Sequence, residues 1–189
     1  MEKITVSIPV PKIIMSIVLW FILRHRKKHY GFAFRRIKLT HGKYAIVDVE
    51  DYEKLAQEDW HLWESGSYNQ YAIRYEEGKS LKMHRVIMNA PAGFVVDHKN
   101  GEGLDNRKTN LRITTQAQNQ YNRKKYKGKT TSQYKGVHRK HDRKKYIAKI
   151  RCNGKRIFLG YFDNEIDAAK AYDAAARLHH GEFAVLNFG

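Results

Sequence analysis

The chain has 189 residues, enough for one to three small domains and too few for one large core. Thirty-six Lys and Arg against 19 Asp and Glu leave a formal charge of +17, which selects a polyanionic partner, nucleic acid ahead of a membrane surface. Cys152 is the one cysteine, which excludes an internal disulfide and a four-cysteine zinc site, fits a reducing cytoplasm (a host's, if the chain is phage-encoded) and leaves any metal to His, Asp, Glu or Asn.

In chain order, the first feature is an apolar run, Ile13 to Leu23, interrupted by Ser16 alone and followed by Arg24-His25-Arg26-Lys27-Lys28. Its eleven residues fall short of the roughly twenty that a spanning helix needs, and Lys12, Pro11 and Pro9 block backward extension. The charge follows the run instead of preceding it and no small-residue cleavage site is present, so it does not read as a signal peptide. A buried or interfacial helix is expected ahead of a membrane anchor, and segment 1–35 receives no role. Residues 36–79 read as a small β-rich module: strand-like Tyr44 to Val49, a helical turn or two within Asp51 to Gln57, and strands Trp60 to Trp63 and Tyr68 to Tyr75 around the turn Ser65-Gly66-Ser67. Trp60, Trp63, Tyr71 and Ile73 are expected in its core, and nothing in it points to chemistry.

Residues 80–123 hold the densest set of reactive polar groups. Phe94-Val95-Val96 makes a short strand that ends at Asp97-His98, a polar Gly-containing loop follows, and Leu111-Arg112-Ile113-Thr114 alternates as a return strand. Thr115 with Gln118 three residues on forms the sequence signature of a helix-starting capping box. Asp97 and His98 thus sit where the first strand enters the loop, Asn110 closes the loop, and Asn119 falls in the second turn of the helix. A carboxylate and a carboxamide can share one hard cation with water and a phosphate, while a neighbouring imidazole takes a proton from the attacking water. Asn100, Asp105 and Asn106 are expected only to make turns.

Asp97-His98, Asn110 thirteen residues after Asp97 and Asn119 twenty-two after it resemble the HNH endonucleases, in the subgroup whose last position is Asn. Met83-His84-Arg85 and the stretch Asp105-Asn106-Arg107 to Asn110-Leu111-Arg112 resemble that subgroup too. The resemblance implies a ββα-metal core in which His98 is the general base, Asp97 and Asn119 hold one Mg²⁺ (or Mn²⁺), Asn110 pins the loop, and His84 is structural.

Residues 124–133 read as a basic linker able to follow a phosphate backbone. From Arg123 to Arg156 there are fifteen Lys or Arg and one acid, Asp142. In the final domain, 134–189, three strands alternate with period two. Val137, then Tyr146, Ala148, Ile150 and Cys152, then Ile157, Leu159 and Tyr161 are expected on an apolar face, with His138, Lys140, Lys149, Arg151, Arg156 and Phe158 opposite. Asn153-Gly154 is a two-residue hairpin turn. An alanine-rich helix capped by Asp163 or Asn164 and ended by Gly181 covers the apolar face. Tyr134-Lys135-Gly136-Val137, Leu159-Gly160-Tyr161-Phe162, Ala168 to Asp173 and Leu186-Asn187-Phe188 resemble the APETALA/ethylene-response-factor DNA-binding domains. The resemblance implies that Lys135, His138, Lys140, Lys149, Arg151, Arg156 and Phe158 face the DNA major groove. His138, Lys149 and Phe158 depart from the plant pattern, so the plant target site does not carry over.

The expectation is an α+β chain with a β-rich module, a nuclease core and a three-stranded sheet packed on one helix. Its function would be metal-dependent cleavage of double-stranded DNA of the homing type, by a monomer or weak dimer on DNA, with no small-molecule substrate. A DNA-binding transcriptional regulator without catalysis is the alternative, and an RNA or structure-specific nuclease is a third, weaker reading.

Overall fold

The computed structural model describes residues 11–65, 69–125, 128, 130–140 and 145–189. Over them the chain has a mixed α+β architecture of four small antiparallel sheets and five α-helices. Helix α1, Lys12–Tyr30, ends at Gly31, whose left-handed backbone (φ 80°) lets its N–H donate to the Lys27 carbonyl. The expectation of a buried helix is not met, because none of its residues is buried and Ile13, Met15, Trp20 and Phe21 are all more than half exposed. Its apolar residues occupy every side instead of one stripe, and only Leu19, Leu23 and Arg26, on one face, are half-buried. Among the described residues no helix is long and apolar enough to cross a membrane.

Strands β1 (Arg35–Lys38) and β2 (Tyr44–Val47) pair antiparallel, and the short helix α2 (Tyr52–Leu55) follows. Strands β3 (His61–Ser65), β4 (Asn69–Glu76) and β5 (Lys79–Lys82) form a meander that leads into helix α3 (Met83–Met88). Gly66 and Ser67 of the expected turn, and Tyr68, expected to open the second strand, lie outside the described residues. Ile37, Leu39, Ala45, Val47, Leu55, Trp60, Ala72 and Met83 make one buried cluster, against which Val86, Ile87 and Leu104 pack. Residues on both sides of position 80 therefore share a single core. Trp60 and Ile73 are buried as expected, whereas Trp63 is 38% exposed under the Lys82 ammonium.

Strands β6 (Val95–His98) and β7 (Leu111–Thr114) pair with Asp97 opposite Arg112 and His98 opposite Leu111. Thr115 and Gln118 form the capping box of helix α4 (Gln116–Tyr121). The expected order of strand, loop, strand and helix is present.

Strands β8 (Val137–Lys140), β9 (Lys145–Cys152) and β10 (Lys155–Phe162) form a sheet in the order β10-β9-β8, under helix α5 (Glu165–His180). Asn153 and Gly154 both take positive φ, 49° and 76°, as a type I′ turn requires. The Asn164 side chain caps α5 by accepting from the Asp167 N–H. Ala168, Ala169 and Ala176 are fully buried against Val137, Ala148 and Ile150, so the small side chains let the helix lie close to the sheet. Gly136 meets the same closeness from the sheet side, because a Cβ there would overlap the Tyr172 ring. One expectation fails. A register shift between Phe158 and Gly160 marks a bulge that reverses the alternation, so Phe162 packs inward and Tyr161 turns outward, 45% exposed.

Candidate active site

Asp97 and His98 end β6, each 5% exposed. Being consecutive in a strand, they find different partners. Arg112, across the hairpin, donates from Nε to Asp97 Oδ2 at 2.9 Å and forms an ion pair with the same oxygen through Nη2 at 2.8 Å. Asn122, just past α4, donates from Nδ2 to Asp97 Oδ1 at 2.9 Å and to the His98 carbonyl at 2.8 Å, tying the two residues together. The guanidinium thus lies against Oδ2, while among the described residues Oδ1 accepts a single bond, from Asn122.

His98 Nε2 stands 3.4 Å from Asn106 Oδ1, and Asn106 is wholly buried. The His84 ring meets His98 edge-on with centroids 4.9 Å apart, and Tyr71 lies 5.9 Å from His98 and 5.5 Å from His84. Burial lowers the His98 pKa, opposed by the Asn106 contact and the nearby Asp97 and Asp105. Burial, with His98 and Lys82 adding to it, pushes His84 down to about 3. Both imidazoles are consequently neutral at neutral pH, the state in which a ring nitrogen can accept a proton.

The loop between β6 and β7 is held from within and from outside. Asn110 donates from Nδ2 to the Asp105 carbonyl at 2.8 Å and accepts from the Asn100 N–H at 3.1 Å. Arg107 grips the Asp105 carboxylate at 2.7 and 2.6 Å. The backbone of Ile46 in β2 bonds to Leu104 and Asn106, each at 2.8 Å, which clamps the loop to the first sheet. Gly103 lets the loop lie close to β4 as well, since a Cβ would run into the Gln70 carbonyl and the Tyr71 ring.

Asn119 is half-buried on α4, and among the described residues its side chain makes no hydrogen bond. Asn122, Arg112, Asn106 and Tyr71 are the site residues that sequence reasoning missed. Two signals were available: Asn122 follows Asn119 by three positions and so shares its helix face, and the hairpin register sets Arg112 opposite Asp97. Among the described residues no group of three or more His, Cys, Asp or Glu is arranged to hold a metal ion. Asp97 and Asn119 carry hard oxygen donors, the ligand type that magnesium takes together with waters and a substrate phosphate.

On the outer face of the last sheet, His138, Lys149, Arg151 and Arg156 line one shallow hollow with Ile150. Burial and the nearby Lys125, Lys149 and Arg156 lower the His138 pKa. Phe158 is 51% exposed and meets Tyr161 at 5.0 Å, an aromatic neighbour the alternation had placed inside. Lys135 stands apart from this face. Its ammonium donates to the Tyr121 carbonyl at 2.7 Å, and burial brings its pKa to about 8. The side chain of Lys140 lies outside the described residues.

A family model described as HNH endonuclease matches residues 82–121, the span from the end of β5 to the end of α4. An uncharacterized HNH endonuclease of Acanthamoeba polyphaga mimivirus is 32% identical over 152 residues, which cover 77% of this chain and 75% of the relative. With the paired strands, capped helix and Asp97-His98 corner lying inside that match, the chain belongs to the HNH endonucleases, hydrolases that act on DNA.

Proposed function

We propose that the protein is a metal-dependent endonuclease that hydrolyses phosphodiester bonds in double-stranded DNA, directed to its site by the C-terminal sheet in the manner of a homing enzyme. The observation that carries this reading is a buried His98 imidazole beside the Asp97 carboxylate, with the Asn122 amide bridging Asp97 Oδ1 and the His98 backbone carbonyl. His98 takes the proton from the attacking water. Asp97, through Oδ1, and Asn119 hold the cation, and Asn110 keeps the loop closed around them. A bound Mg²⁺ or Mn²⁺ supplies charge stabilisation at the phosphate and the leaving oxygen. His84 keeps His98 in place by edge-on packing. The shared core supports treating residues 36–123 as one catalytic unit, with the segment from 134 onward as its DNA-binding partner.

The sheet of three strands under an alanine-rich helix supports an APETALA/ethylene-response-factor-like reader. His138, Lys149, Arg151, Arg156 and Phe158 form its DNA face, with Arg151 and Arg156 at base edges and Lys149 at phosphate. Tyr161 joins that face. Lys135 is left out of it, being engaged with Tyr121.

The test is incubation of the full chain with supercoiled plasmid in Mg²⁺ or in EDTA. Open-circle product in Mg²⁺ alone means nicking, and linear product means paired cuts. Plasmid that stays supercoiled in both, while the protein still shifts duplex DNA in a gel, overturns the enzyme in favour of the binding regulator.

A further inference from the structure

The C-terminal part touches the nuclease core at β7, the strand paired with the one that carries Asp97, and at α4, which carries Asn119. Beside Asp97, Arg112 donates from Nη1 to the backbone carbonyl of Glu182 at 2.9 Å and to its carboxylate at 3.3 Å. The guanidinium lies over the Phe183 ring at 3.8 Å. Glu182 and Phe183 belong to the short 3-10 turn Gly181–Phe183 that follows α5. Beside Asn119, the Tyr121 ring stacks on His180 with centroids 3.9 Å apart and planes 6° apart. The Tyr121 hydroxyl accepts from the Asn153 N–H at 2.9 Å, and Lys135 donates to the Tyr121 carbonyl.

A planar guanidinium has a fixed fork of donors, so its orientation is settled by all its partners together. Here one edge of Arg112 is committed to Asp97 Oδ2 and its Nη1 to the turn after α5, with an aromatic ring closing one face. Arg112 is only 12% exposed at the side chain, so water does not offer it equivalent partners. With the cationic guanidinium against Oδ2, Oδ1 is the carboxylate oxygen left to face a cation.

We infer that the C-terminal module is a working part of the nuclease site: Glu182 and Phe183 hold Arg112, and Arg112 is the positioning residue that fixes the Asp97 carboxylate with Oδ1 toward the cation. This rests on the reading of Asp97 as a cation ligand. The module therefore has two duties, to grip DNA on its outer sheet face and to set a ligand from the turn at the far end of its helix. Outer-shell partners of metal ligands typically account for about 10- to 100-fold in metal affinity, so the arrangement has a measurable consequence without any cleavage.

The test is Mn²⁺ binding to the full chain without DNA, followed by electron paramagnetic resonance of the free ion, with thermal melting as a check on folding. Arg112→Ala is expected to weaken Mn²⁺ about tenfold or more. The double variant Glu182→Ala/Phe183→Ala, which leaves the hairpin untouched, is expected to weaken it by a smaller factor, about threefold or more, at unchanged melting temperature. Restoring the ring with Phe183→Tyr in the Glu182→Ala background should recover part of the loss. Parental affinity in both Arg112→Ala and the double variant overturns the inference, and so does tighter binding, which would make Arg112 a competitor of the cation. Asp97→Ala separates the two levels. If it binds Mn²⁺ like the parent, the ligand reading fails and the inference with it; if it alone abolishes binding, the inference fails by itself.

Discussion

The nuclease hairpin and the C-terminal sheet are built on opposite plans. In the hairpin and its surroundings the polar residues face inward: His84, Asp97, His98, Asp105, Asn106, Asn110 and Thr114 are all buried. Nearly every one is held by a named partner, so the local structure is a hydrogen-bond network as much as an apolar core. The sheet β8–β10 does the reverse. Its interior is alanine, valine and isoleucine against α5, with Tyr146 and Phe162 packed beside them, while Lys149, Arg151, Arg156 and Phe158 are turned outward. Chemistry needs groups held to within a fraction of an ångström, which buried bonds supply, whereas reading a duplex needs long side chains that settle on contact. The difference teaches where a substitution should act: on rate in the first region, on affinity in the second.

The largest effect should come from His98→Ala. Loss of a positioned proton acceptor is expected to lower the cleavage rate at saturating DNA by about 10²- to 10⁴-fold, with duplex affinity in a gel-shift unchanged. A parallel loss of binding would break the division of labour. Next come Arg151→Ala and Arg156→Ala, which should each weaken duplex binding by about 1–3 kcal/mol where they meet a base edge. Where they meet phosphate instead, the log–log salt slope should become shallower by about one for each. Cleavage of DNA already bound should keep its rate. A drop in that rate at saturation would show that the sheet also takes part in the chemical step.

Much of this contrast is written locally in the chain. Alternation over Leu111 to Thr114, the Thr115–Gln118 pair and Asn153-Gly154 each set a strand, a helix start and a turn within a few residues, and all appear in the fold. The spacing from Asp97 to Asn110 likewise places the loop closure, because the bonds of Asn110 go to Asn100 and Asp105 of that same loop. What was not legible comes from elsewhere in the chain. Tyr71 reaches the histidines from β4, and β2 reaches the loop through Ile46. Arg112 is held from seventy residues downstream. No periodicity encodes such pairings, since they depend on how separate elements pack. The bulge at Leu159 was missed for a related reason. An extra residue in one strand leaves the apolar pattern looking regular until its partner strand is known.

The smallest effect probes the inward plan itself, through the acid side of the stability curve. His84 is held neutral, its pKa pushed down to about 3 by burial, with His98, Lys82 and Arg85 adding to it, whereas an unfolded histidine titrates near 6.5. As the pH falls through that unfolded value, the unfolded chain binds a proton that the folded chain refuses. The stability held above it is therefore lost progressively below about 6.5, down to the folded value. Between about pH 7.5 and about pH 5.5 the loss assigned to His84 is about 1.4 kcal/mol, and it stays so for any folded value well under 5. His98, also lowered by burial, pulls in the same direction, so the quantity to compare is the difference between the parent and His84→Phe. Urea unfolding at the two pH values should show the variant losing about 1.4 kcal/mol less than the parent. Equal losses in both would mean that His84 takes up its proton in the folded state, and that the floor beneath His98 is wetter and looser than a network of buried bonds requires.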